Sequence, residues 1–81
     1  MRTSVAEIHA LEETEVRGDA MRRLTRRIEA EYAEMPGLSV TLVQARRLLA
    51  VDEPTCAAIL RGLVESGVLR RTPQGRYVRA R

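Results

Sequence analysis

The chain reads as a mainly α-helical fold closed by a small β-hairpin, and three observations in its carboxy-terminal half predict this. First, two helix starts lie close together. Thr41 is followed by Gln44 at the spacing of a capping box, and Asp52 is followed by Glu53-Pro54, an N-cap with an acid and a proline in the first turn. Second, Gly67 follows the last residue of helical periodicity, where a left-handed C-cap is expected. Third, the period then turns strand-like over Val68 to Thr72 and Arg76 to Ala80, on either side of Thr72-Pro73-Gln74-Gly75. Proline pre-sets φ for a type I turn and glycine accepts the positive φ at its end, which is a common way to close a hairpin. The expected order is helix, short strand, helix, helix, strand, strand: a three-helix core plus a two- or three-stranded β unit, with an extra amino-terminal helix or arm.

Residues 1–18 form the acidic arm or short helix. Ser4 and Glu7 have capping-box spacing, Val5, Ile8, Ala10 and Leu11 line part of a face, and Gly18 closes the segment. It docks on its own domain, pairs with a second copy or frays; these alternatives stay open. Residues 19–81 form the domain proper. Asp19 is the expected N-cap of a helix reaching Met35, whose stripe of Met21, Leu24, Ile28, Tyr32 and Met35 recurs at three- and four-residue steps and belongs to the core. Arg22, Arg23, Arg26 and Arg27 cover its flank, followed by Glu29, Glu31 and Glu34. The plain reading is a solvated face; the functional one lets Arg22, Arg23 or Arg26 reach a phosphate.

Pro36-Gly37 ends that helix, and Leu38 to Val40 is the expected third strand, with Leu38 and Val40 inward. Thr41 to Leu49 is a supporting helix that buries Leu42, Ala45, Leu48 and Leu49, with Gln44 at its amino-terminal end, where free N–H groups attract phosphate. Only Ala50 to Asp52 separate it from the next helix, which fits a helix-turn-helix. From Glu53 to Ser66, Cys56, Ile59, Leu60, Leu63 and Val64 share one side, while Pro54, Ala58, Arg61 and Glu65 share the other, flanked by Thr55, Ala57 and Gly62. In the following hairpin Leu69 and Tyr77 are the inward anchors, joined by Val68 and Val78, and Arg70, Arg71, Arg76 and Arg79 are the cations.

The segment LRGLVESGVLRRTPQGRYV resembles the end of the recognition helix and the wing of bacterial winged helix-turn-helix regulators of the IclR type. It also resembles the small winged domain at the end of some bacterial DNA-processing proteins. The likeness rests on Leu60, Leu63, Gly67, Val68, Leu69, Gly75, Arg76 and Tyr77 and covers roughly half the chain. It implies a winged helix-turn-helix whose second helix enters the major groove and whose wing touches backbone or minor groove. No effector or catalytic domain is expected beyond the motif.

Charge points the same way. All 14 basic residues are arginine. Residues 1–19 hold two arginines against five acids, net −3, whereas residues 61–81 hold six against Glu65 alone, net +5. A basic end on a small domain is the electrostatic footprint of a polyanion binder. The single Cys56 and single His9 rule out an internal disulfide and a Cys/His zinc cluster; Cys56 lies on the apolar side of its helix, as a small hydrophobe does. No nucleotide-binding loop or nucleophile–histidine arrangement is found, so neither an enzyme nor a cofactor is expected. No run approaches the ~20 apolar residues of a membrane span, nor is there the apolar core of a secretory signal, so a cytoplasmic protein is expected.

The expected function is binding of double-stranded DNA, as a small bacterial transcriptional regulator or accessory factor. Thr55, Ala58 and Arg61 would face bases, and Arg70, Arg71, Arg76, Arg79, Gln44 and Arg22 would hold the backbone. The alternative is a winged protein-interaction module without DNA contact, favoured by the small, nearly bare outer face of the second helix. A third reading folds the acidic segment over the basic hairpin as an internal DNA mimic. A homodimer or another protein partner is compatible with each.

Overall fold

A computed structural model describes the backbone of residues 5–80 and the side chains of residues 18–80. Its elements run α1 (Val5–Glu34), β1 (Val40–Thr41), α2 (Leu42–Leu49), α3 (Glu53–Glu65), β2 (Leu69–Arg71) and β3 (Arg76–Arg79). The chain is thus mainly helical with a small antiparallel sheet, in the expected order.

The first correction concerns α1. It is one helix of 30 residues that passes through Gly18, so Gly18 is not a C-cap and Asp19 is not an N-cap. A single glycine costs a helix only about 1 kcal/mol relative to alanine, too little to end it where good helix formers continue. Asp19 instead pairs with Arg22 one turn on. The helix stops where expected: the Met35 N–H still donates to Glu31 O, and the Pro36-Gly37 turn is closed by Leu38 N–H on Met35 O at 2.9 Å. Met35 itself, expected in the core, lies beyond the last turn and is exposed.

The other caps form as expected. Thr41 Oγ1 accepts from the Gln44 N–H at 3.2 Å, and Gln44 Oε1 accepts from the Thr41 N–H at 2.9 Å, a reciprocal capping box. α2 ends on Ala50, a left-handed residue at φ 54° whose N–H donates to Arg46 O. Asp52 caps α3 through the Thr55 N–H. At the far end Gly67 takes φ 80°, and the N–H groups of Gly67 and Val68 donate to Val64 O and Leu63 O. Those two bonds make the Schellman closure.

The sheet order is β1-β3-β2. The third strand is shifted from the expected Leu38–Val40 to Val40–Thr41, with Val40 opposite Tyr77 and Thr41 opposite Arg76. Leu69 stands opposite Arg79, Arg70 opposite Val78 and Arg71 opposite Tyr77. Residues opposite one another share a face, and neighbours along a strand alternate. Val40, Leu69, Arg71, Tyr77 and Arg79 therefore share the face turned to the helices, and Thr41, Arg70, Arg76 and Val78 share the other. Val68 precedes the strand and is exposed, contrary to its expected place as an anchor.

The core gathers Ile28 and Tyr32 of α1, Ala45 and Leu49 of α2, four residues of α3 including Cys56 and Leu60, and Val40 and Leu69 of the sheet. The Tyr32 hydroxyl donates to Tyr77 O at 2.5 Å and so ties α1 to β3.

Candidate functional site

A cleft of about 540 Å³ opens between α3 and the hairpin, lined by Ala57, Arg61, Val64, Glu65, Arg71 and Tyr77. Its geometry follows from two periodicities. On α3, residues 57, 61, 64 and 65 recur at three- and four-residue steps and form one stripe. On the sheet, the pairing of Arg71 with Tyr77 puts both on the helix-facing side, where the hairpin extends past the core. Ala57, Val64 and Tyr77 supply an apolar floor, and Arg61 and Arg71 supply the charge. A methyl group at Gly75 would lie 3.5 Å from Arg71 Nη2, so the Arg71 guanidinium sits over the hairpin turn. That turn is closed by Gly75 N–H on Thr72 O and by Arg76 N–H on Thr72 Oγ1.

The expected site residues divide. Arg61 and Arg71 are brought together in the cleft. Arg79 shares Arg71's face of the sheet but lies opposite Leu69, nearer the core. Arg70 and Arg76 point from the opposite face, and Arg76 Nη1 donates to Ser39 O at 3.4 Å. The hairpin arginines are thus split between two surfaces. Among the described residues the one ion pair is Arg22–Asp19, so none of these five arginines has a carboxylate partner there.

Three expected contacts are already engaged within the protein. Thr55 Oγ1 donates to Asp52 Oδ1 at 2.6 Å, and the residue borders a groove with Ala20, Met21 and Leu24 of α1 rather than the cleft. This bond is the main reason the Asp52 carboxyl is held below the usual range. The Gln44 side-chain oxygen is held in the α2 capping box. Arg22 is paired with Asp19 on α1. Ala58 is half-buried and lies outside the cleft, where Ala57 takes the place expected for it.

Four cleft residues are not among the expected contacts: Ala57, expected on the flank of α3; Val64, expected in the core; Glu65, expected on the outer side of α3 beside Arg61; and Tyr77, expected as an anchor only. The signal that identifies Tyr77 is hairpin register: once Thr72 is set opposite Arg76 across the three-residue loop 73–75, counting back pairs Tyr77 with Arg71.

No metal-ligating cluster of acidic, histidine or cysteine residues occurs among the described residues. Among the described residues no helix is long and apolar enough to cross a membrane. Cys56 is fully buried, and burial pushes its thiol above the ordinary range. No known family model, curated protein or solved structure matches the chain.

Proposed function

We propose that this chain is a winged helix-turn-helix module that binds duplex DNA, as a small regulator or accessory factor of the bacterial kind its hairpin resembles. The observation that carries this reading is the meeting of Arg61 and Arg71 across one cleft, without carboxylate partners among the described residues. The sheet order β1-β3-β2, with the hairpin next to the end of α3, supports it. Arg61 reads a base edge, where a bidentate pair with guanine gives about 1–3 kcal/mol of discrimination. Arg71 grips the adjacent phosphate, since its fork matches phosphate oxygens. Arg70 and Arg76, on the other face, reach the backbone only if the strand wraps the hairpin tip.

Selection of bound duplexes from a random pool at two salt concentrations tests this. With three or four phosphates neutralised, log affinity falls against log salt with a slope of about −3 to −4. A flat response defeats the reading.

One observation favours a protein-interaction module instead: the cleft floor is apolar and Glu65 stands in it. A stable co-purifying partner, with no retention on duplex DNA, supports that alternative.

A further inference from the structure

The cleft carries Arg61 and Arg71 against Glu65 alone, a net positive charge, and one anionic segment belongs to this chain. Residues 7–19 carry Glu7, Glu12, Glu13, Glu15 and Asp19 against Arg17 alone. The sequence intersperses these acids with Ile8, Leu11 and Val16, so the segment is both acidic and apolar, as the cleft is both cationic and apolar.

A chain cannot bring the two together by itself while α1 remains one helix. Ala20, Met21 and Leu24 border Thr55 at the start of α3, and Tyr32 reaches Tyr77 beside the cleft. α1 therefore runs from the start of α3 towards the cleft, and its amino-terminal half leaves the body in the other direction. From Val5 to Ala20 it extends about 22 Å. The molecule measures 53 × 22 × 21 Å, elongated as such an overhang requires.

We propose that the cleft receives the acidic half of α1 from a second copy of the chain, in a reciprocal two-fold dimer. Residue 12 and Tyr32 lie about 30 Å apart along the helix. A two-fold axis perpendicular to α1, level with residue 22 and passing beside the helix on its α3 side, sets each acidic segment beside the other copy's cleft, and the two bodies then lie end to end with little overlap. The interface is isologous, as closed dimers require. Self-association does not depend on DNA binding. Its consequence for DNA does rest on the proposed function: a dimer that occupies Arg61 and Arg71 withholds them from a duplex.

Sedimentation equilibrium of the full chain, with helicity monitored by circular dichroism, tests this. The wild-type chain dimerises at low salt and dissociates as salt rises. Two charge reversals, E12R/E13R/E15R and R61E/R71E, each weaken the dimer at least ~10-fold, because like charges now face each other. Mixed together, the two variants restore it, since each basic segment meets an acidic cleft and each acidic segment a basic one. R70E/R76E, on the outer face, leaves the dimer intact. A wild-type chain that stays monomeric at low salt overturns the proposal, as does a dimer indifferent to both reversals or a mixture that fails to recover. Rescue in the mixture also excludes misfolding as the cause of loss. The E12R/E13R/E15R variant, whose cleft stays free, separates the dimer from the proposed function: if it too retains no duplex DNA, the proposed function falls and the dimer stands.

Discussion

Tyr32 shows how one side chain links packing to pH. It is nearly fully buried, with its hydroxyl on Tyr77 O, and burial pushes its pKa up to about 12 from 10.0. The neutral phenol is therefore the form that the fold favours. Its contribution is complete below about pH 10 and is lost as pH rises through 12; the gap corresponds to about 2–3 kcal/mol. The chain has only two tyrosines, so in a Tyr77→Phe background an ultraviolet titration follows Tyr32 alone. The folded protein should ionise it near pH 12, and an ionisation near 10 would contradict the packing. Tyr32→Phe should cost about 1 kcal/mol, because it leaves a strand carbonyl without this donor. Cys56 gives a second test at this scale. Its burial and raised pKa predict no reaction with a thiol reagent until the protein unfolds, and labelling at the native rate of an exposed thiol would show that the core is open.

Helix ends carry the next set of predictions. Gly18 lies inside α1, so Gly18→Ala should raise helix content, with a gain of up to about 1 kcal/mol in helix free energy. The added methyl meets only the end of the flexible Arg22 side chain, at 3.4 Å. Were Gly18 a left-handed C-cap, the same change would lower helicity, so circular dichroism decides between one helix and two. Ala50 is the opposite case. It holds φ 54° without being glycine, and Ala50→Gly should stabilise the protein by about 0.5–1 kcal/mol in a thermal melt. The capping residues Thr41, Gln44 and Asp52 were legible in the sequence because a cap is a local pattern of three or four residues. The same locality misled the reading of Gly18. Glycine followed by aspartate resembles a stop and a start, but neither is strong enough to interrupt a run that stays helical on both sides.

For the molecule as a whole, the meaningful question is which arginines act together. Arg61 and Arg71 border one cleft, whereas Arg70 points from the other face of the hairpin. In duplex-binding titrations, truncating Arg61 and Arg71 singly and together should therefore give non-additive losses, with a coupling of about 0.5 kcal/mol or more. Arg61 and Arg70 should be additive within about 0.3–0.5 kcal/mol. Equal additivity in both pairs would mean that the cleft is not the binding surface. The small outer face of α3 is consistent with this division. With Thr55 turned towards α1 and Asp52, most of the polar function of that helix's outer side falls to Arg61 and Glu65.

The sequence by itself determined the elements, their order and most of their ends. These follow from contacts within a few residues: caps, turn chemistry and the change from helical to strand period. It also determined that net negative charge gathers at one end and net positive charge at the other. Only the tertiary structure decided which arginines meet, because that depends on strand register and on how the hairpin lies against α3. A shift of one residue in pairing exchanges the two faces of a strand, so Arg71 joins Arg61 while its neighbour Arg70 does not. The direction of the acidic overhang was likewise a matter of how α1 crosses the body, set by the packing of Met21, Leu24, Ile28 and Tyr32 on partners distant in the chain.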